Sequence, residues 1–489
     1  AQAMWALASS PLLTEGARSH MTGCRGRRRQ EAASLCPELE GQCGVSQFDA
    51  FFALVKGNLG PGVLALPFAF AQVGWAVGLP VLLVTVAQGV YAMLALAECK
   101  RALARPDVQG LGDVAFCALG RCGRFLADTF VFVLQGGVCC CFVGLVAGNL
   151  ATAMGTSQRD VVTLALAPLF AIIALLRFVT QLGFLNRLGT VAMVAALLSG
   201  SACGTCKLLE LGTAGVAAGA WSSRPVADSL ILASSVFFSF EGLGLVLPVE
   251  QEMARPAAFP RVVVLASAAL TVAFLTLSVT CGIAFRGELR TASVIAFLAT
   301  RSSGAERYVL QVSNALVTVA VFLTYPLQLK PASDILAKCL SRDRVAQPAG
   351  PAAANPQEDG GVLESPEAPR AAVVVEEGSA RGPVRALREV PVWALQRLVF
   401  VAVCVATTLA VGNIALLVSL FGAVGQTGLG MLAPLCHLAL MGAGVIPRSP
   451  ARAALDAAIV AFCLVIMVAG TYLALTDIIA EYRQTGSIA

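Results

Sequence analysis

The residue that makes the heaviest demand on its surroundings is Glu241. It lies in SFEGLGLVLPVEQEM, from Ser239 to Met253, about thirteen residues into a long apolar run, or roughly 20 Å along it if the run is helical. Where such a run crosses a bilayer that depth is near the centre, and insertion scales assign about 2.5 to 3.5 kcal/mol to an acid placed there. A carboxyl so placed faces a polar cavity, pairs with another side chain or carries a proton. Proton transfer is the chemistry Glu241 offers; a permanently neutral carboxyl bonded to broken backbone is the alternative. Gly242, Gly244 and Pro248 follow it and predict a local loss of helix, because proline removes a donor and crowds the preceding turn.

A second segment is built the same way. GNLGPGVLALP, from Gly57 to Pro67, places three glycines, an asparagine and two prolines in eleven residues. Gly62-Val-Leu-Ala-Leu-Pro67 is echoed by Gly244-Leu-Val-Leu-Pro248. Backbone with broken hydrogen bonds is tolerated at bilayer depth only where it is buried in protein or lines a cavity. One such segment alone reads equally as a kink with close helix packing. Two of them at corresponding positions of two halves point to an inverted repeat with a binding site at the midplane between them, the arrangement of secondary transporters.

The other polar residues within apolar runs are weaker signals. Lys56 precedes the first break and is expected to snorkel to the interface. Gln135, Asn149, Thr324, Tyr325 and His437 are candidates to line a cavity, or to bond helix to helix. Gly144 and Gly148 have the spacing of a close helix contact. Cys203 and Cys206 have CxxC spacing, but without a second pair, and with only two histidines in the chain, they predict no metal site. Most of the 16 cysteines sit in apolar runs and read as small hydrophobes.

The elements that must position these residues are membrane-spanning helices. Of 489 residues, 57% are hydrophobic and only 13% charged, too few charges for a water-exposed surface. Apolar stretches long enough to cross a ~30 Å hydrocarbon core centre near Gly60, Thr85, Gln135, Phe170, Ala196, Glu241, Ala273, Ala320, Val403, Gly428 and Phe462. The breaks thus fall in the first and sixth of about eleven spans. With the amino terminus in the cytosol, about 25 of the 34 Lys and Arg lie on the cytosolic side. That orientation follows, although Arg286, Arg290, Arg301 and Arg307 lie opposite. No cleavable signal peptide is expected, since the basic cluster follows the weakly apolar first residues.

Four parts are predicted. Residues 1–45 form a flexible cytosolic tail, 46–340 carry spans 1 to 8, 341–389 form a Pro, Ala, Gly and Glu-rich disordered cytosolic linker, and 390–489 carry spans 9 to 11. The remaining soluble segments are short, so function lies among the helices.

At KGNLGPGVLALPFAFAQVGW (Lys56 to Trp75), FSFEGLGLVLPVEQEM (Phe238 to Met253) and FLTYPLQLKPASDIL (Phe322 to Leu336), the sequence resembles the amino acid/auxin permease family, above all its proton-coupled and vacuolar amino acid transporter branches. The resemblance runs from about Phe48 to Thr476. It implies an all-α polytopic membrane protein of eleven helices, with a five-plus-five inverted repeat like that of the leucine transporter and broken helices 1 and 6. It implies that backbone at Asn58, Leu59, Gly60 and Gly62 receives a substrate carboxylate. Carbonyls near Phe240, Gly242 and Gly244 would receive its amino group, and Phe240 and Tyr325 would shape the side-chain pocket. Helix amino ends favour anions and unwound carbonyls favour cations. One departure stands out: proton-coupled animal members carry a histidine three residues before Lys56, where this chain has Ala53.

The expected function is secondary active transport of small neutral amino acids, with a proton gradient as driving force and sodium as the alternative ion. No cofactor and no nucleic acid is expected; the partners are the amino acids and the lipid bilayer. The membrane is that of a vacuole or lysosome, or the plasma membrane. A non-transporting amino acid sensor using the same site is the second reading. An enzyme is the least favoured, since HExxH, GxSxG and P-loop patterns are all absent, and no catalytic residue is assigned.

Overall fold

The computed structural model describes residues 44–176, 183–218, 220–289, 293–340 and 392–486. The predicted tail and linker fall almost wholly outside these. The described residues are helical nearly throughout, with one isolated bridge, Val45 to Met253, in place of any sheet.

The first span is broken as its sequence dictates. Helix α1 (Gln47–Asn58) begins at Ser46, whose hydroxyl accepts the Asp49 amide. It stops at Leu59 and Gly60 because Pro61 has no amide hydrogen and its ring crowds the carbonyl one turn back. The chain continues as a 3-10 turn, Pro61–Ala65, and then α2 (Leu66–Val73). Pro67, second in α2, forbids an α-helix running back through Val63. The segments Gln47–Asn58 and Gly62–Val73 meet at 52°.

Helices α3 (Trp75–Leu103), α4 (Leu111–Met154), α5 (Arg159–Leu175) and α6 (Gly183–Ala218) complete the first half. Gly120, at φ 70°, turns the chain inside α4 before its apolar stretch begins. The second half opens with the matching break. Helix α7 (Pro225–Ser239) ends at Phe240 and Glu241, a 3-10 turn spans Gly242–Leu245, and α8 (Val246–Glu252) follows. Pro248 sits in the first turn of α8, where a missing donor is harmless, but it blocks helix through Gly244.

Then come α9 (Phe259–Ala284), the short α10 (Val294–Arg301) and α11 (Gly304–Leu340). They are followed by α12 (Val392–Ala410), α13 (Ile414–Phe421) and α14 (Thr427–Gly442). Helices α15 (Pro450–Val465) and α16 (Thr471–Gly486) end the described chain. Single π turns, Gly422–Gln426 and Ile466–Gly470, join α13 to α14 and α15 to α16.

Among the described residues, nine helices are long and apolar enough to span a bilayer, and the bent first pair makes a tenth. The predicted span near Phe170 corresponds to α5, which at 17 residues is about 25 Å long. Helix α11 packs along α4 and α6, α9 along α6, and α3 against α7 and α14. Exposed Val84, Leu164, Leu265, Val403 and Val465 face outward, where lipid replaces water. Below, the end at which α1 begins is the proximal face and the opposite end the distal face.

Candidate functional site

The two breaks meet. Asn58, last residue of α1 and 3% exposed, donates from Nδ2 to the Leu54 carbonyl at 2.8 Å and accepts the Gly242 amide on Oδ1 at 2.8 Å. One buried side chain thus satisfies groups on both broken helices, 184 residues apart. Gly242 has to be glycine for this, since a Cβ there would stand 2.2 Å from Asn58 Nδ2.

Glu241 precedes Gly242 and turns its carboxylate toward the first break. Its Oε1 is 3.7 Å from where a Cβ on Gly60 would stand. Among the described residues that carboxylate makes no hydrogen bond and no ion pair. Gly60 and Leu59 are partly exposed beside it. Gly62 is turned away and packed, its absent Cβ 2.8 Å from Phe238 Cδ1. Gly244 is exposed, and a Cβ there would meet nothing within 4 Å. Asn58, Leu59, Gly60, Gly62, Phe240, Glu241, Gly242 and Gly244 therefore form one contiguous locus.

Phe240 is buried edge-to-face on Phe274, with ring centroids 4.9 Å apart. Its carbonyl, freed by the end of α7, accepts Gln426 Nε2 at 2.6 Å. Gln426 reaches it from the Gly422–Gln426 π turn. Gly422 brings that turn against α7, since a Cβ would fall 2.0 Å from the Ser234 carbonyl. A narrow cavity lined by Thr85, Gln88, Phe240, Gln426 and Gly430 lies behind the break. The sequence reading did not single out Gln426; its signal was a lone amide in the glycine-rich GAVGQTGLG run.

Tyr325 is not brought to the breaks. It is fully buried, its ring edge-on to Phe170 of α5 at 4.9 Å, with its hydroxyl among the thiols of Cys139, Cys140 and Cys404. Thr324 bonds back to the Ala320 carbonyl of its own helix, and Asn149 donates to Thr318 on α11. His437 belongs to a separate charged cluster at the proximal end. Its Nδ1 is 2.6 Å from Asp456, which also accepts the Tyr91 hydroxyl at 2.6 Å. Its Nε2 is 3.8 Å from Glu98, which is gripped by both arms of Arg452 at 2.8 and 2.9 Å. The cluster ties α3, α14 and α15 together. Among the described residues, no group of three His, Cys, Asp or Glu side chains is placed to hold a metal.

Paired broken helices, crossing at buried polar backbone within a helical membrane body, define the leucine-transporter fold. A solved structure, MhsT in complex with L-phenylalanine, matches that fold with a TM-score of 0.50 at 13% identity, over 88% of this chain and 97% of that one. The chain belongs to the transmembrane amino acid transporter protein family, whose model matches residues 44–476. Amino acid transporter AVT3B of Arabidopsis thaliana is 26% identical over 329 residues, 64% of this chain and 76% of that relative. Vacuolar amino acid transporter 3 of Saccharomyces cerevisiae is 25% identical over 301 residues, 60% of this chain and 42% of the yeast protein. The chain is thus a membrane amino acid transporter and not an enzyme.

Proposed function

We propose that the protein is a secondary active transporter that carries small neutral amino acids together with protons moving down their gradient, by alternating access around the locus between Asn58 to Gly62 and Phe240 to Gly244. The observation that carries this reading is the Glu241 carboxylate, unpartnered at the break and facing Gly60. The substrate carboxylate would lie against the amino end of the Pro61–Ala65 turn and its ammonium against the carbonyls around Phe240, so each pole meets the matching helix end. A glycine at position 60 leaves room there for the carboxylate of an amino acid. Glu241 takes the proton, since Ala53 supplies no imidazole. The proximal face is cytosolic. The names of the relatives support an amino acid cargo and a vacuolar or lysosomal membrane, from which proton symport would deliver cargo to the cytosol.

The test is uptake of labelled neutral amino acids into proteoliposomes, with and without an inward proton gradient and with sodium absent. Accumulation that requires the gradient is the expected result. Binding without any uptake would overturn the transport reading in favour of a sensor, and uptake that requires sodium would overturn the proton.

A further inference from the structure

The charged cluster at the proximal end contains one mismatched contact. His437 is 1% exposed and Asp456 is fully buried. Nδ1 of the imidazole and the Tyr91 hydroxyl both donate to the Asp456 carboxylate, each at 2.6 Å. With the Nδ1 hydrogen spent on Asp456, a neutral ring presents a bare lone pair at Nε2. Nε2 faces the Glu98 carboxylate at 3.8 Å and is buried without a hydrogen bond. In a neutral ring two acceptors therefore confront each other. A proton on Nε2 turns them into an ion pair and, after closing by about 1 Å, into a charge-assisted hydrogen bond.

The charges around the ring favour the same proton. From α3, Tyr91, Glu98 and Cys99 face the cluster, and from α15, Arg452 and Asp456. Helices α4 and α7 meet α14 through aromatic rings, Phe130 at Gly428 and Phe237 at Gly430, two turns or more from His437. Glu98 and Asp456 bring two negative charges, and Arg452, with both arms on Glu98, brings one positive charge. A neutral His437 leaves a net negative charge beside a fully buried carboxylate; an imidazolium cancels it. The proton also has a way in. Glu98 is 25% exposed, so its carboxylate can take a proton from water at the proximal face and hand it to Nε2, while the ring itself stays dry.

The cluster sits where a change of charge reaches the broken helices. Arg101, three residues beyond Glu98 on α3, pairs with buried Glu250 of α8 at 3.0 Å. Helix α3 thus joins α8, the proximal half of the second broken span, to α14 and α15. Alternating access shifts the broken helices against their surroundings. A tightened contact between His437 and Glu98 restrains that shift, and loss of the proton releases it.

We propose that His437 is a proton-operated brake: protonated through Glu98 from the proximal face, it clamps α3 to α14 and α15 and slows the transport cycle as that side acidifies. The inference rests on the transport reading above, in which the proximal face is cytosolic and receives the protons that Glu241 carries across. The brake limits that proton entry.

The test is exchange of labelled L-alanine across proteoliposomes holding the full-length chain, with equal pH on both sides so that no gradient acts, from about pH 5.5 to about pH 9. The ring is followed over the same range by NMR of 15N-labelled histidine. The chain has two histidines, so His20→Gln leaves His437 alone in the spectrum. His437→Gln keeps a donor for Asp456 but cannot take up a proton. Wild type and His437→Gln should exchange equally above the pH at which Nε2 loses its proton. Below it the wild type should be about tenfold slower, the effect of one hydrogen bond to a charged group. Glu98→Gln removes a negative charge that holds the proton, so it should move both the ring titration and the slow limb to lower pH. A ring that keeps one protonation state throughout, a slow limb that does not follow the ring, or equal wild-type and His437→Gln rates at every pH would each overturn the brake and leave the transport reading standing. No exchange by the wild type at any pH would overturn both.

Discussion

Substituting Gly242 by alanine tests whether Asn58 holds the two breaks together. The added carbon would lie 2.2 Å from Asn58 Nδ2 and 2.7 Å from its Oδ1, closer than non-bonded atoms approach. Asn58 cannot swing aside without releasing the Leu54 carbonyl as well as the Gly242 amide, because it is buried and bonded to both. Leaving one such buried group unpaired costs about 1–3 kcal/mol. At 1.4 kcal/mol per factor of ten, this is a ~5- to ~150-fold loss in the population of the competent site. Asn58→Ala should lose a similar amount, since it strands the Gly242 amide. In the double variant the alanine at 242 finds the space Asn58 vacated, so the second change should add little. The assay is a double-mutant cycle read by thermal unfolding in detergent and by alanine binding. Effects that add to within about 0.5 kcal/mol would refute the idea that this one contact fixes the geometry of the breaks.

Three further outcomes follow from the same structure. Glu241→Gln should abolish proton-driven accumulation in proteoliposomes while leaving substrate exchange detectable, and retained accumulation would remove Glu241 as the proton carrier. Gly60→Leu should fold normally but lose midplane binding, because its side chain grows toward the Glu241 carboxylate, 3.7 Å from the Cβ position; normal midplane affinity would take the first break out of the site. His437→Ala should leave fully buried Asp456 with only the Tyr91 hydroxyl, and breaking such a pair costs about 3–5 kcal/mol. A fall in melting temperature of several degrees without a change in substrate preference is expected; an unchanged melting temperature would mean the cluster carries no stability.

The parts of the fold that act through local backbone were legible in the sequence. Pro61, Pro67 and Pro248 remove donors wherever they stand, so the breaks and the 3-10 turns beside them follow from composition and spacing. The pairing of those breaks was legible too, from the echo of one motif in the other. What the sequence did not expose depends on which helix lies beside which. Asn58 read as part of the broken backbone that receives substrate, and nothing in its own segment showed that its side-chain amide would join Leu54 to Gly242. Tyr325 read as a pocket residue, yet α11 turns it toward α4, α5 and α12. His437 was visible as a polar residue in an apolar span, whereas Asp456 and Glu98 lie near span ends, where an acid attracts no notice. Their meeting required the packing of α3, α14 and α15.

The isolated bridge at Val45 changes how the proximal end can work. Val45 donates to the Glu252 carbonyl at 2.6 Å and accepts the Ala254 amide at 3.0 Å, so the chain entering α1 is sewn to the chain leaving α8. Asn58 fastens the other end of α1 to the turn that leads into α8. Two rods pinned at both ends behave as a single plank. The proximal halves of the broken helices must therefore tilt together, or α1 must first shear two backbone bonds at its exposed end. In the second case the amides of Val45 and Ala254 would exchange with solvent deuterium each time the proximal gate swings, and would serve as a clock for that motion.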